Sequence, residues 1–165
     1  KYFHGNQPLE ISSKSLQQLG IDLSAFNLKD GNGHSVECVF QSSKKFALGG
    51  PYVDLLEKTS KEAKKDERLR NSGRIVAFVK DGIEYPTEPK TAFYDWIYIN
   101  ALVQNKDLCD QLKEFDAFTD IEFNPEKSLN CQAEAVAIYC GLVKAEKLDA
   151  ALSSFEDFVQ IIWDK

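Results

Sequence analysis

The sequence predicts a mainly α fold of the α+β kind, a single domain of packed helices with one small β-hairpin. Three features carry that expectation. Apolar residues recur at helical spacing in most segments between turn signals, Asp81-Gly82 joins two short β-type runs, and strands and helices do not alternate as a parallel sheet requires. At 165 residues and 43% hydrophobic content the chain can bury one core, and no repeat, low-complexity tract or Pro/Ser-rich linker divides it.

The elements follow in order. Up to Gly33 the chain reads as irregular or extended, with Asp30-Gly31-Asn32-Gly33 a strong turn. A helix is expected over 35–48, capped by Ser35, with Val36, Val39, Phe40, Ser43 and Ala47 on one stripe and Gly49-Gly50-Pro51 as its stop. A charged helix capped by Thr59 or Ser60 runs to about Asn71-Ser72-Gly73. Residues 74–79 and 83–85 form the hairpin strands. Pro89 suits the first turn of a helix reaching about Gln104, whose Phe93, Tyr94, Ile97, Tyr98, Ala101 and Leu102 cover so wide an arc that it must be the core helix. A shorter amphipathic helix is expected over 106–115, an extended segment over 118–124, and helices over 128–144 and 154–163.

Composition excludes several functions. A formal net charge of −6 argues against gripping nucleic acid over a broad surface, so any such contact must be local. The one basic concentration, Lys61, Lys64, Lys65, Arg68 and Arg70 among Glu62, Asp66 and Glu67, is either a solvated helix face or a diphosphate-binding edge. Cys38, Cys109, Cys131 and Cys140 are widely spaced with no Cys-x-x-Cys pair, and His4 and His34 are the only histidines, which argues against a zinc site or metal-dependent hydrolysis; no metal and no cofactor are expected. Free thiols in a reducing cytoplasm fit best, and no membrane-length apolar run or secretion signal is present in the sequence. Neither a Gly-x-Gly-x-x-Gly nor a Walker-type phosphate loop occurs, against a Rossmann dehydrogenase or a P-loop ATPase.

One polar constellation remains. On the 35–48 helix, Glu37, Gln41 and Lys44 fall within about 60° of one another on the flank of the apolar stripe, with Lys44 leaning back toward Glu37 across roughly 10 Å. Such a trio is either surface decoration or one wall of a site.

The run Ser35-Val36-Glu37-Cys38-Val39-Phe40-Gln41-Ser42-Ser43-Lys44 resembles the signature helix of the NADAR family, Ser-x-Glu-His-x-x-Gln-x-x-Lys, and Leu23-Ser24-Ala25-Phe26-Asn27 resembles its Phe-Ser-Asn-Phe segment. Asp120-Ile121-Glu122-Phe123-Asn124 and Asn130 resemble its closing Asp-x-x-Trp-Gly and Asn-x-Leu-Gly elements, so the likeness spans about residues 20–145 of a single domain covering 1–165. The wording around Gly49-Gly50-Pro51-Tyr52, Glu62-Ala63-Lys64-Lys65-Asp66-Glu67-Arg68-Leu69 and Glu88-Pro89-Lys90-Thr91-Ala92-Phe93-Tyr94-Asp95-Trp96 resembles its DarT-associated antitoxin branch. Cys38 replaces the family histidine, Phe123 its tryptophan, and Asn124-Pro125-Glu126-Lys127 a glycine-rich stretch, departures that bear on the shape of the base pocket.

The resemblance implies an N-glycosidase that removes ADP-ribose from guanine in DNA or RNA, releasing ADP-ribose and opposing a DarT-type toxin. That reaction needs charge stabilisation at the anomeric carbon, a proton for the departing nitrogen and a grip on the diphosphate. The candidate catalytic residues are Glu37 as general acid/base, Asp120 as second carboxylate orienting ribose or water, and Lys44, either as an amine forming a Schiff base or as a cation pairing with Glu37 or phosphate. For binding, Phe26 and Phe123 can stack, Asn27, Gln41, Asn124 and Asn130 can meet polar edges, Lys64 and Arg68 can hold phosphates, and Tyr85 and Trp96 are further aromatic candidates. Asp95 reads as a buried hydrogen-bonding residue. Two other readings stand beside this one: an N-glycosidase for a riboflavin-pathway intermediate, and a non-catalytic immunity protein that occludes the toxin.

Overall fold

A computed structural model describes residues 8–126 and 129–164, so His4, Lys127 and Ser128 lie outside the described residues. The N-terminal region is more ordered than its composition suggests. A two-residue strand β1 (Leu9–Glu10) and a short helix α1 (Gln18–Asp22) precede the turn at Asp30-Gly31-Asn32-Gly33.

The 35–48 helix is shorter than expected. Helix α2 spans Val36–Ser43, and Lys44–Phe46 is a strand, β2. Ser35 caps α2 by accepting from the Cys38 N–H at 3.1 Å. At the other end the Ser42 and Ser43 hydroxyls donate back to the Val39 carbonyl at 3.1 and 2.7 Å, taking up an acceptor the next helical turn would use. The chain then pairs antiparallel with its neighbour in the sheet, Lys44 opposite Phe78.

A 3₁₀ turn at Val53–Glu57 follows, and the charged helix is in two pieces, α3 (Ser60–Lys65) and α4 (Arg68–Asn71). Thr59 and Glu62 form a capping box on α3, while Asp66 accepts from the Arg68 N–H at 2.9 Å and restarts the helix after a break. The hairpin is as predicted: β3 (Ile75–Lys80) and β4 (Ile83–Tyr85) meet at Asp81 and Gly82, both with positive φ (53° and 77°), as a type I′ turn demands. With β2 they make a three-stranded sheet in the order β2-β3-β4.

Helix α5 (Ala92–Val103) is the core helix, with Phe93, Tyr98, Ile99 and Leu102 at most 1% exposed. Burying each aromatic ring stabilises the fold by about 2–3 kcal/mol over leaving it in water. It begins one turn later than Pro89 suggests, with the Ala92 N–H reaching the Pro89 carbonyl at 3.1 Å. Helix α6 (Lys106–Leu112) leads to β5 (Phe118–Thr119), which pairs parallel with β1. This ladder corrects the expectation of a hairpin alone, because backbone groups of 8–11 and 117–119 satisfy one another where the two segments meet. Then come α7 (Gln132–Lys144), the unanticipated short α8 (Leu148–Ala151) and α9 (Phe155–Trp163), which Ser154 caps. Among the described residues no helix is long and apolar enough to cross a membrane.

Candidate functional site

Glu37 and Gln41 sit one turn apart on α2 and are 8% and 7% exposed. Gln41 Nε2 donates to Glu37 Oε2 at 2.7 Å, while Gln41 Oε1 has no hydrogen-bond partner among the described residues. A buried carboxylate of this kind needs compensating charge. Lys44 supplies it: half-buried at the start of β2, its ammonium lies 4.7 Å from the Phe40 ring centroid and interacts with the Glu37 charge. Burial holds the Lys44 amine below the ordinary lysine range, Glu37 pulls it back up, and the nearby Lys64 pushes it down again. Lys64 itself stands 5.4 Å over the Phe26 ring.

The Phe26 segment is fastened to this cluster through its backbone. Glu37 N–H donates to the Ala25 carbonyl at 3.0 Å and Val36 N–H to the Leu28 carbonyl at 2.9 Å. Ser60, at the start of α3, donates to the Phe26 carbonyl at 2.8 Å and lies 2.6 Å from the Ser35 hydroxyl, joining three segments at one point. On the far side of Ala25 stands Gln132. Its Oε1 accepts from the Ala25 N–H, and its Nε2 donates to Asp120 Oδ2 at 3.0 Å and to the Ile11 carbonyl at 3.1 Å. The Glu37 backbone and, through Gln132, the Asp120 carboxylate are therefore both tied to residue 25. Burial raises the Asp120 carboxyl, and Gln132 opposes that rise by hydrogen bonding to the charged form.

Beneath them lie two phenols of α5. Tyr94 is buried against Phe40, its hydroxyl raised well above the ordinary range by burial and further by the charges of Tyr98, Glu37 and Asp95. Tyr98 donates to the Leu23 carbonyl at 2.5 Å and senses Asp120. Sequence patterning places Tyr94 and Tyr98 in the core without signalling that they floor a polar site, and nothing in it singles out Ser60 or Gln132.

The other sequence candidates scatter. Asn27 is exposed and spends its Nδ2 on the Ile21 carbonyl and the Ser24 hydroxyl, at 2.9 and 3.1 Å, within its own loop. Arg68 pairs with Asp54 at 2.8 Å and Asp66 at 2.9 Å and lies 4.4 Å from the Tyr52 ring, so its charge is already matched. Asn124 is exposed and accepts from the Glu126 N–H at 2.9 Å. Phe123 is half-buried, in a turn closed by its N–H on the Asp120 carbonyl at 3.1 Å, and Asn130 is half-buried just before α7. Tyr85 packs on Phe93 and Phe155, both at 5.1 Å, and lines a separate cleft together with Trp96. Among the described residues no three His, Cys, Asp or Glu side chains converge as metal ligands, and Cys38, Cys109, Cys131 and Cys140 are free thiols.

The cluster thus offers a buried carboxyl group and an amine whose basicity burial lowers, with a second carboxyl group linked to the same segment through Gln132. Such a set can protonate a leaving group and attack or stabilise an electron-poor carbon. Compared with known families, the chain matches the family described as the DarT1-associated NADAR antitoxin over residues 1–165. No curated protein matches it.

Proposed function

Because the chain belongs to the DarT1-associated NADAR antitoxin family, we propose that it reverses toxin action chemically, cleaving the N-glycosidic bond that joins ADP-ribose to guanine in nucleic acid. The observation that carries this reading is the charge-coupled pair of a buried carboxylate, Glu37, and a half-buried amine, Lys44, that burial holds below the ordinary lysine range.

Glu37 gives its proton to the departing guanine nitrogen while the Lys44 amine bonds to the anomeric carbon, and the carbon–guanine bond breaks. The proton lost by the attacking amine returns to Glu37. The nitrogen lone pair then expels the ribose ring oxygen, which takes the proton from Glu37, so that Lys44 holds the opened sugar as a protonated Schiff base; water adds to that carbon, the lysine–carbon bond breaks, and ADP-ribose and the free amine are released with the surplus proton returning to Glu37. Asp120, held by Gln132, orients the ribose hydroxyls or that water. Phe26 stacks on a ring of the substrate, Gln41 turns Oε1 to a substrate donor, and Lys64 meets the diphosphate. Phe123 and Asn130 close the base side, near Asp120. Asn27, Arg68, Asn124 and Tyr85 are committed elsewhere and take no part in this scheme.

The test is release of ADP-ribose from a modified guanine oligonucleotide. Glu37→Gln and Lys44→Ala are expected to lose roughly 10²–10⁴-fold in turnover, and borohydride added during wild-type turnover is expected to leave a reduced ADP-ribose adduct on Lys44. If both variants still rescue cells from the toxin as wild type does, the protein works by occlusion. Turnover of a phosphorylated pyrimidine glycoside in place of the oligonucleotide would support the riboflavin-pathway reading.

A further inference from the structure

A cleft of about 440 Å³ lies away from the Glu37 cluster. It is lined by Val36 and Val39, which sit roughly 100–160° around α2 from Glu37 and Gln41, and it contains none of Glu37, Gln41, Lys44 or Asp120. Its volume falls in the range of small-ligand sites. Beyond the two valines, its chemistry lies in Tyr85, Trp96, Asn100, Gln104 and Lys80, with the Asp30-Gly31-Asn32 turn as one lip.

The lip is a firm structure. Asp30 Oδ1 accepts from the Asn32 and His34 N–H groups at 2.9 and 3.0 Å, and Asn105 Nδ2 ties the neighbouring Lys29 carbonyl to the end of α5 at 3.0 Å. The lip passes close to Gln104: a Cβ at Gly31 would stand 2.3 Å from Gln104 Oε1. Gln104 and Asn100 are one turn apart on α5, so both carboxamides sit on one side of the helix. Asn100 donates Nδ2 to the Trp96 carbonyl at 2.8 Å, which leaves its Oδ1 as an acceptor. The aromatic pair is anchored from behind, Tyr85 and Trp96 both packing edge-on with Phe155 at 5.1 and 5.7 Å. At the rim, Lys80 is steadied by Asp81 at 2.9 Å.

From this arrangement we infer that the cleft is a nucleobase-binding site. Aromatic rings supply stacking surface, and a pair of carboxamides matches the donor–acceptor edge of a base. The mixed polar lining does not suit an acyl chain, and its single lysine, paired with Asp81, does not suit a free polyphosphate. The inference extends the nucleic-acid reading above, giving the protein a second hold on a strand, but it stands on separate residues and can fail separately.

The chain has two tryptophans, Trp96 in the cleft and Trp163 outside its lining, so the two indole N–H signals in a ¹⁵N spectrum report on the site directly. The full chain is titrated with adenosine, guanosine, cytidine and uridine monophosphates and, in a second arm, with a short unmodified single-stranded oligonucleotide. Saturable movement of the Trp96 signal larger than that of Trp163 is expected, with binding weakened roughly 5- to 100-fold in Asn100→Ala and in Gln104→Ala, and unchanged in Glu37→Gln. Tighter binding of the oligonucleotide identifies a base within a strand as the occupant, and tighter binding of a mononucleotide identifies a free nucleotide. A Trp96 signal that no probe moves overturns the inference whether or not the variants fold, as does equal binding by folded variants or movement with the toxin protein alone. Loss of glycosidase activity in Glu37→Gln with the Trp96 response intact separates this site from the reaction.

Discussion

Replacing Asp95 by asparagine should change how stability depends on pH, and by an amount the structure sets. Asp95 lies on α5, 1% exposed, with Oδ2 lacking a hydrogen-bond partner among the described residues. Burial pushes its carboxyl up to about 7 from an unperturbed 3.8, Thr91 opposing the rise by hydrogen bonding and the Glu134 charge adding to it. Since the folded protein holds this proton more tightly than the unfolded chain, the contribution to stability is fully present below pH 3.8 and is lost as pH rises through about 7. Three decades of proton concentration at about 1.4 kcal/mol each make that loss roughly 4 kcal/mol. Asparagine fills the same space but does not titrate, so whatever its amide costs in the same pocket is independent of pH. The difference in unfolding free energy between variant and wild type should therefore move in favour of the variant by about 3–4 kcal/mol between pH 4 and pH 8. Urea denaturation at several pH values, followed by circular dichroism, gives both curves. Curves that stay parallel within about 0.5 kcal/mol would show that Asp95 ionises freely in the folded state, and the reasoning from its burial would be wrong.

Three more outcomes concern the candidate site. Gln132→Leu strips a partner from the Ala25 N–H and from Asp120, and should lower stability by about 2–3 kcal/mol, a fall in melting temperature of roughly 4–12 °C; a melting curve that coincides with wild type would show that the bridge contributes nothing. The Asp120 carboxyl should also titrate higher in that variant, because Gln132 favours its charged form. The Lys44 amine, followed by ¹³C NMR after reductive methylation, should titrate below the surface lysines and lower still in Glu37→Gln, which removes the charge that raises it; a rise in the variant would contradict the pairing.

Much of this protein follows from local chemistry. The Asp81-Gly82 hairpin depends on two adjacent residues that accept positive φ, the Ser35, Thr59 and Ser154 caps depend on side chains three residues from the N–H groups they serve, and α5 depends on an apolar arc too wide to face water. Those are short-range facts, so they are written in the sequence, and Glu37 with Gln41 on one flank of α2 is among them. Lys44 is different. Helical spacing continues through it, yet the chain becomes a strand there because β3 offers backbone partners that no local pattern announces. The same holds for Gln132, which meets Ala25 and Asp120 from 107 and 12 residues away. It holds too for Arg68, whose charge is taken up by Asp54 across the 3₁₀ turn. Residue types and their local periods determined which groups were present and which elements carried them. Only the packing of distant segments decided which of those groups share a site, since hydrogen bonds and ion pairs form between neighbours in space, whatever their separation along the chain.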